Sequence, residues 1–427
     1  MVSYRKFRDF WKGAILVAMV FKNTQVFRNG VFSRSDVSVS LGGGVSPIGV
    51  DASSFVILPG FVDVHVHLRE PGFSYKETIR TGSLAAAHGG YTTVCAMPNL
   101  NPVPDCLAHL KEELDIIEKD AVISVLPYGS LTVGEKGGQL SDMEEMAPYA
   151  AGFSDDGVGL NDPDLMRQAM IRAKKLGKPV VAHCEDMVLR NGGYIHDGEY
   201  ARAHGHKGIC SESEWKPIER DLKLAEETGC CYHVCHISCA ESVDVIRNAK
   251  ARGVDVTCET APHYLLLSDA DLQEDGRFKM NPPIRSERDR QALLEGLLDG
   301  TIDMIATDHA PHTVEEKADF EKAPNGSIGM ETSLAVAVTY LVKTGLLSFE
   351  EIVRKMSTNP AKILGINAGT LSKGAPADIA LVDLDEEWTV DVEKLHGKSK
   401  NTPFKGKKLC GKVKKTFLGG KLVFEDN

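Results

Sequence analysis

Several features that mark other classes of protein are missing from this chain of 427 residues. It contains no long block of basic residues, and its formal net charge is −11. Nucleic-acid binding needs a concentrated cationic surface, so this function is not expected. The one short basic run, KGKKLCGKVKK (405–415), is interpreted as a solvated face of a peripheral strand, with contact to an acidic partner as the alternative. No apolar run approaches the roughly 20 residues that a membrane-spanning helix needs.

The ten cysteines form no CxxC pair, and several lie inside apolar, strand-like runs. We interpret them as reduced core thiols of a cytoplasmic protein, rather than as a disulfide framework. The N-terminus imitates a signal peptide, because basic residues precede GAILVAMVF (13–21), but no convincing small-residue cleavage site follows. Residues 1–18 are therefore expected to be an N-terminal extension of a cytoplasmic chain.

A repeated unit fills the middle of the chain, in which a short β-branched run leads into a polar loop and then, in most cases, a helical pattern. The eight predicted strands are FVDVHVH, YTTVCAMPN, VISVLPYGS, AAGFSDD, PVVAHCE, CYHVCHIS, VDVTCETAPH and IDMIATDHAPH. Eight such units predict an α/β protein with a (β/α)8 TIM-type barrel, which we assign to residues 59–369. A doubly wound open sheet is the alternative, but no glycine-rich phosphate loop follows the first strand.

The segments on either side of the predicted barrel have a different pattern. Residues 19–58 and 370–427 contain short alternating apolar strands separated by turns, such as VSVSLGG, ADIALVDLD and KTFLGGKLVF. These patterns predict one small β-sandwich built from both chain ends, although periodicity alone does not show that the two segments pair.

Polar side chains occupy the predicted C-terminal ends of the barrel strands, where the active site of such a barrel lies. DVHVHLREPG (63–72) places Asp63, His65 and His67 on one face of a strand, because side chains two apart share a face. The other predicted strand ends carry Asn99, Asp155, Asp156, His183, His236, His263 and Asp308.

Two interpretations of these strand ends are open. A single strand histidine is more often a hydrogen-bonded core residue than a metal ligand, and Asp-Asp-Gly is usually a turn. Burying so many ionisable groups at one barrel mouth without a cation would be costly, however. We therefore predict a divalent metal site. Imidazole and carboxylate ligands without thiolate favour zinc in an open site, with manganese or cobalt as substitutes.

The order and spacing of these motifs resemble those of a known family. The series is PGFVDVHVHLREPG, CAMPN, GFSDDG, VAHCED, HISCAES, ETAPHYL, MNPPIR and ATDHAPH. Over roughly residues 19–427 the chain closely resembles the bacterial, class I dihydroorotases of the amidohydrolase superfamily. This resemblance implies zinc-dependent, reversible cyclisation of N-carbamoyl-L-aspartate to L-dihydroorotate and water, a step of de novo pyrimidine synthesis.

The resemblance also implies a set of metal ligands, with one or two zinc ions per subunit. His65, His67 and Asp308 would bind one ion, and His183 and His236 would bind a second. Many amidohydrolases bridge the two metals with a carboxylated lysine on strand 4, but AAGFSDDG has no lysine. The family branch that this chain resembles uses aspartate, which places Asp156 at the bridge, with Asp155 as the alternative. The missing lysine argues against hydantoinase and dihydropyrimidinase.

Catalytic and substrate-binding roles follow from the same resemblance. Asp308 would be the base that moves a proton between the attacking water and the leaving nitrogen, since a zinc ion can lower the pKa of its water to about 7. Arg69 would bind the substrate carboxylate in a bidentate manner. The remaining substrate-binding residues that the resemblance implies are His67, Asn99, Asn281, His312, Asn325 and Gly326. The family usually has an aromatic residue where Asn325 stands.

The other histidines and several acidic residues are assigned no direct role. Asp63 and His263 are interpreted as structural or as orienting the ligands, and His233 as core. Six histidines are interpreted as surface residues without a matching partner: His88, His109, His196, His204, His206 and His396.

Two rival functions remain open, and so do two kinds of assembly with other protein chains. An allantoinase or hydantoinase would act on a neutral ring and would need no carboxylate clamp of Arg69, Asn99 and His312. An inactive dihydroorotase-like partner of aspartate transcarbamoylase would normally have lost metal ligands, all of which are present here. A homodimer and an active complex with aspartate transcarbamoylase are both compatible with the family, and no membrane partner is expected.

Overall fold

The computed structural model describes residues 19–39 and 48–426, so the predicted N-terminal extension (1–18) lies outside the described residues. The strands are β1 Met19–Arg28, β2 Val31–Val39, β3 Ile48–Asp51, β4 Val56–Pro59, β5 Phe61–Val66, β6 Tyr91–Ala96, β7 Ser124–Pro127, β8 Val180–Ala182, β9 Ile195–His196, β10 Gly208–Ile209, β11 Tyr232–Val234, β12 Val256–Thr260, β13 Met304–Ile305, β14 Ile379–Thr389, β15 Lys408–Leu418 and β16 Lys421–Glu425.

Helices follow most of the strands in the middle of the chain. They are α1 Ile79–His88, α2 Leu107–Asp120, α3 Met143–Met146, α4 Pro163–Leu176, α5 Met187–Arg190, α6 Glu199–His204, α7 Glu212–Thr228, α8 Ala240–Ala251, α9 Pro262–Leu266, α10 Glu287–Leu298, α11 Ser333–Ala337, α12 Phe349–Val353 and α13 Asn359–Ile363. Helices α11 and α12 each continue into a π-helical turn, at Val338–Val342 and Arg354–Thr358.

Eight parallel strand positions close into a barrel. Strands β5, β6 and β7 pair in that order, and β8, β11, β12 and β13 form a second parallel group. The two groups are joined through Phe153, which bridges Gly129 on one side and Val180 on the other. A further parallel bridge between Val66 and His309 closes the ring. The predicted (β/α)8 barrel is confirmed, with a fourth strand reduced to a single bridging residue.

Local sequence signals explain where the barrel helices begin and end. In α4, Asp162 accepts hydrogen bonds from the backbone N–H groups of Asp164 (2.9 Å) and Leu165 (3.2 Å), and Pro163 occupies the first helical position. The helix ends at Gly177, which adopts a left-handed conformation with φ of 64°. The same start and stop signals were readable in DPDLMRQAMIRAKKLG, and the predicted helix is confirmed.

The two chain ends meet in one sheet beside the barrel. Its strand order is β16-β15-β14-β4-β1-β2, and β3 pairs with the other edge of β1. The connection between the ends is antiparallel pairing of β14 with β4, in which Ile379 is opposite Pro59. Phe21, Ile57 and Phe417 belong to a separate buried apolar cluster of this sheet. The chain ends therefore form a small β domain together, while the boundaries 19–58, 59–369 and 370–427 stay predictions.

Two features that bear on the environment of the chain are visible in the described residues. No helix there is both long enough and apolar enough to cross a membrane. All ten cysteines are unpaired thiols, and six of them are buried.

Candidate metal centre

The residues at the mouth of the barrel are held by unusual backbone conformations. Arg69, His236 and Asp308 have positive φ angles of 62°, 33° and 46°, a region that residues other than glycine rarely adopt. Each of them lies two or three residues after the end of a barrel strand. Strained backbone of this kind persists where the surrounding structure fixes a side chain in a particular direction. Here it turns polar side chains toward a common point.

The first group in this cluster is His65, His67 and Asp308. The Asp308 Oδ1 atom lies 3.2 Å from His67 Nε2 and 3.5 Å from His65 Nε2. All three residues are buried, and one ligand atom from each lies within 4.8 Å of the others. The structure thus brings together the three residues that the family resemblance assigned to one metal ion.

The structure places the two neighbouring aspartates of strand 4 in different surroundings. Asp156 Oδ1 lies 3.4 Å from His65 Nε2, and its Oδ2 lies 3.5 Å from His67 Nε2. Asp155 turns away, because its Oδ1 accepts backbone hydrogen bonds from Leu131 (2.8 Å) and Thr132 (3.0 Å). This geometry supports Asp156, and not Asp155, as the residue that contacts a metal.

The second imidazole pair lies on the other side of Asp156. His183 Nδ1 is 3.0 Å from His236 Nε2, and these atoms are 3.8 Å and 3.7 Å from Asp156 Oδ1. Asp156 Oδ1 therefore lies between His65 and the His183–His236 pair. One carboxylate with imidazoles on both sides is the arrangement that a bridge between two metal positions requires.

The side chains in this cluster fit a divalent cation. His65 Nε2 and Asp156 Oδ1 are fully buried, face each other, and have no hydrogen-bond partner. Burial by itself would lower the pKa of His65, but the negative charges of Asp156 and Glu259 raise it well above its usual value. The cluster therefore attracts positive charge. Two unpartnered buried ligand atoms and an excess of carboxylate are satisfied together when a metal ion binds between them.

Glu259, at the end of β12, is a member of the cluster that sequence reasoning missed. Its Oε1 accepts a 2.7 Å hydrogen bond from His65 Nδ1, and its Oε2 lies 3.2 Å from His233 Nε2. The backbone N–H of His236 also donates to Oε1 (3.3 Å). Burial would raise the pKa of Glu259, but His65 and His233 hold it below its usual range. Glu259 is thus an ionised carboxylate that fixes His65 with Nε2 directed at the metal position.

We expect Glu259→Gln to weaken metal binding at the mouth by roughly 10- to 100-fold. Glutamine keeps the size of the side chain but loses the negative charge that orients His65 and increases its basicity. Competition with a chelator of known affinity measures the change. Glu226→Gln on the exposed surface of α7 is the matched control, and equal metal affinity in both variants would contradict an orienting role for Glu259.

A cationic group lies next to the metal cluster. Arg69 Nη2 is 3.4 Å from His312 Nε2, and Lys76 Nζ is 3.2 Å from His312 Nδ1. His312 Nε2 donates to the backbone carbonyl of Asn325 (2.8 Å). Burial and the positive charges of Arg69 and Lys76 lower the pKa of His312 to about 2, so this imidazole is neutral. Lys76 is already paired with Glu316 (Nζ to Oε1, 3.0 Å), whereas Arg69 forms no ion pair with any described residue. The guanidinium of Arg69 beside the neutral ring of His312 therefore forms a site for an anion. Sequence reasoning did not identify Lys76.

The other predicted substrate-binding residues lie around the same mouth but do not all contact one another. Asn99 Nδ2 donates to the backbone carbonyl of Asp156 (2.5 Å), and its buried Oδ1 has no hydrogen-bond partner. Asn281 Nδ2 donates to Glu185 Oε2 (3.0 Å) and lies 3.4 Å from His183 Nε2. Asn281 thus belongs to the His183 side of the mouth, away from Arg69.

The 325–326 turn is held close to strand-end backbone. The Gly326 N–H donates to the backbone carbonyl of Lys279 (3.1 Å). Gly326 has a φ of 141°, a conformation that favours glycine. A Cβ at this position would lie 2.7 Å from the Cβ of Ala310, so no larger residue fits. Lys317 Nζ donates to the carbonyls of Lys279 (2.9 Å) and Pro324 (2.8 Å), which joins the 325–326 turn to the segment that leads into Asn281.

The structure also shows the surroundings of the residues that were predicted to have no direct role. Asp63 accepts hydrogen bonds from the backbone N–H groups of His65 (3.1 Å) and Thr307 (3.2 Å), which ties β5 to the segment after β13. His263 is buried in the first turn of α9 and not at the end of β12. The surface interpretation is wrong for His196, which is buried. Four of the other histidines do have side-chain partners, namely His88, His109, His206 and His396.

Comparison with known families finds two family models that match consecutive parts of the chain. The Dihydro-orotase-like family matches residues 54–242, and the Amidohydrolase family matches residues 244–424. The dihydroorotases of Bacillus caldolyticus and Geobacillus kaustophilus are each 51% identical over 379 residues. In both cases the match covers 88% of this chain and 89% of the relative.

Solved structures with the same fold come from a related group of enzymes. L-Hydantoinase (dihydropyrimidinase) from Arthrobacter aurescens has a TM-score of 0.84 and 27% identity, covering 96% of both chains. Dihydropyrimidinase from Brevibacillus agri has a TM-score of 0.82 and 25% identity, covering 96% of this chain and 95% of that one. Sequence identity is thus about twice as high to the dihydroorotases as to the hydantoinases.

Proposed function

Because the chain belongs to the dihydroorotase family of the amidohydrolases, we propose that it interconverts N-carbamoyl-L-aspartate and L-dihydroorotate. The observation that carries this proposal is the anion site beside the metal cluster, where the guanidinium of Arg69 lies next to His312 and has no ion-pair partner among the described residues. Dihydroorotate is a cyclic amide that carries a carboxylate on its ring. A site for it therefore needs both a centre that activates an amide and a cationic group at a fixed distance from that centre.

We propose that the metal is zinc, held on one side by His65, His67 and Asp308 and on the other by His183 and His236. Asp156 contacts both groups, so the cluster has ligands for two ions. Nitrogen and carboxylate ligands without thiolate are typical of catalytic zinc. When bound, zinc would polarise the amide carbonyl and lower the pKa of water in the site.

The proton is moved by Asp308 in this proposal. In hydrolysis, one of its carboxylate oxygens takes the proton that the attacking water loses. The C–N bond of the ring then breaks, and Asp308 returns the same proton to the leaving nitrogen. In ring closure the ureido nitrogen attacks the carbon of the protonated side-chain carboxyl group and gives one proton to Asp308. Asp308 passes this proton to the hydroxyl group of the carboxyl, the C–O bond breaks, and water leaves. Glu259 holds His65 in place throughout, because it is hydrogen-bonded at the opposite ring nitrogen.

Arg69 and the residues around it bind and orient the ring. The guanidinium group matches the planar geometry of a carboxylate and donates two parallel hydrogen bonds to it. His312 is neutral, and its two ring nitrogens contact the carbonyl of Asn325 and Lys76 Nζ, so it would orient the groups around the substrate carboxylate. The unpartnered Oδ1 of Asn99 is free to accept a hydrogen bond. Asn281 and the turn at Asn325–Gly326 would contact the amide edge of the ring.

The hydantoinases provide the main alternative, since they share the barrel at a TM-score of 0.84. Their ring substrates have no carboxylate, whereas this chain places the cation of Arg69 beside His312 with no ion-pair partner among the described residues. Strand 4 also offers Asp156 to the cluster where the hydantoinase pattern requires lysine. Both differences favour dihydroorotase.

We expect the purified chain to contain zinc at the barrel mouth and to lose its activity when a strong chelator removes that zinc. Ring closure of carbamoyl aspartate is followed by ultraviolet absorbance, and zinc is quantified by mass spectrometry before and after chelation. Adding zinc back should restore the rate, because the ligands are already in place. Full activity without metal would contradict this mechanism.

We further propose a cytoplasmic location, since ten thiols without a disulfide are typical of a reducing compartment. A homodimer and a complex with aspartate transcarbamoylase stay predictions from the family resemblance. Light scattering on the purified chain decides the first of these, and co-purification decides the second.

A further inference from the structure

A second group of metal-binding side chains lies outside the barrel mouth. His88 ends α1, Glu331 lies just before α11, and His396 lies between β14 and β15. His88 Nδ1 contacts Glu331 Oε1, and His396 Nδ1 lies 3.1 Å from the same oxygen and 2.8 Å from His88 Nδ1. No hydrogen bond or ion pair connects these three to the mouth cluster within residues 48–426.

Hydrogen bonds alone do not satisfy this arrangement. If both imidazoles donate from Nδ1 to Glu331, two N–H groups face each other at 2.8 Å with no acceptor between them. If one Nδ1 instead accepts from the other, it no longer donates to Glu331. Three ligand atoms that converge in this way are satisfied together by a single cation.

The burial and the hydrogen bonds of the Glu331 side chain suit a metal ligand. It is almost fully buried, and its two oxygens accept hydrogen bonds from the backbone N–H of His396 at 2.9 and 3.1 Å. These hydrogen bonds fix the carboxylate in orientation, as ligating carboxylates generally are.

The group is also accessible. The His396 side chain is 42% exposed, whereas that of His88 is 13% exposed. All three residues line a cavity of about 630 Å³ between the barrel and the C-terminal segment. An ion can therefore reach the group from solvent, and the cavity leaves room for water at the remaining coordination positions.

We propose that His88, Glu331 and His396 form a separate binding site for a divalent transition-metal ion, with zinc as the preferred metal. Two imidazoles and one carboxylate with an open side suit zinc, and cobalt fits the same ligands. The ion connects three distant parts of the chain, and its main effect is on the segment that contains His396.

That segment, residues 395–402, leads from the proposed ion to the anion site at the barrel mouth. The Ser399 hydroxyl donates to the carbonyl of His312 (2.7 Å), and Asn401 Nδ2 donates to the carbonyl of Gly326 (2.9 Å). The Lys398 N–H donates to Glu77 (3.1 Å). Fixing His396 thus stabilises the segment that supports two residues of the mouth.

The test compares zinc content in the full-length chain and two variants, His396→Ala and His88→Gln. Each protein is stripped with a chelator, dialysed against zinc, and analysed by mass spectrometry of the metal. We expect both variants to bind one equivalent less than wild type. His204→Ala, on exposed α6, is the matched control and should bind as much as wild type. Equal zinc content in all four proteins would overturn the proposal.

A further variant separates this site from the catalytic one. His183→Ala should lose the zinc ion that the His183–His236 pair holds at the mouth and keep the ion at His396, so the proposal is tested even if the dihydroorotase assignment fails. Hydrogen exchange gives an independent measurement. Zinc should slow amide exchange in residues 395–402 of the His183→Ala variant, and a double variant with His396→Ala should show no slowing. Equal exchange in both would refute the stabilising effect, and circular dichroism confirms that each variant is folded.

Discussion

Replacing Asp308 by asparagine is expected to lower kcat for dihydroorotate hydrolysis about 10³-fold, even at saturating zinc. Asparagine has nearly the same size, but its amide does not hold the proton that the attacking water loses. Asp308 Oδ1 lies 3.2 Å from His67 Nε2, so the loss of charge also weakens metal binding. Measuring kcat over a range of added zinc separates the two effects, because only the weaker binding is corrected by more metal.

Asp155→Asn is the matched control for this variant. Asp155 is also a buried aspartate at a strand end, but its oxygens accept hydrogen bonds from Leu131 and Thr132 and do not face the cluster. We expect it to retain zinc and most of the activity. An Asp308→Asn enzyme whose kcat at saturating zinc is within a few fold of wild type would show that another group moves the proton.

Much of the barrel was predictable from the sequence because each unit carries its own signals. Asp162 and Gly177 mark the ends of α4, and the alternation in DVHVH marks β5, so neither needs information from distant residues. Parallel strands also share one functional end, which is why His65 and Asp308 were expected to meet although 243 residues separate them.

The predictions about individual residues that were incomplete or left two alternatives depend on tertiary contacts. Asp155 and Asp156 alternate in direction, but which of them faces the mouth depends on how strand 4 is rotated in the barrel. That strand is held by the bridges of Phe153 and by backbone hydrogen bonds of its neighbours to the segment after β7. Glu259 was missed because a glutamate near the end of an apolar strand resembles a structural residue until His65 is placed beside it. The signal in the sequence was a glutamate inside the strand run VTCET, and the structure shows that its carboxylate is buried.

The group of His88, Glu331 and His396 was beyond any local pattern. His88 and His396 are 308 residues apart, and neither lies at the end of a barrel strand. Their approach depends on how the chain between β14 and β15 packs against α1 and α11. No spacing rule in the sequence describes that packing, so both histidines resembled isolated surface residues.

Arg69→Met is expected to reduce kcat/KM for dihydroorotate roughly 100-fold, while the zinc content stays at the wild-type level. Methionine fills similar space but cannot donate to a carboxylate, and charge-assisted hydrogen bonds of this kind contribute about 1.5–3 kcal/mol. At about 1.4 kcal/mol per tenfold change, the upper end of that range corresponds to the expected loss. Lys76 lies near His312 but is paired with Glu316 (3.0 Å), so it replaces little of the lost attraction for the carboxylate.

A comparison of substrates tests whether Arg69 acts on the carboxylate and not on the fold. Dihydrouracil has the same ring without the carboxylate, so Arg69→Met should not change the low rate on it. Arg172→Met, on the outer surface of α4, is the matched control and should leave both rates unchanged. If Arg69→Met kept full activity on dihydroorotate, the substrate assignment would fail. If it lowered both rates equally, Arg69 would be acting through the structure of the mouth, because only a carboxylate contact distinguishes the two rings.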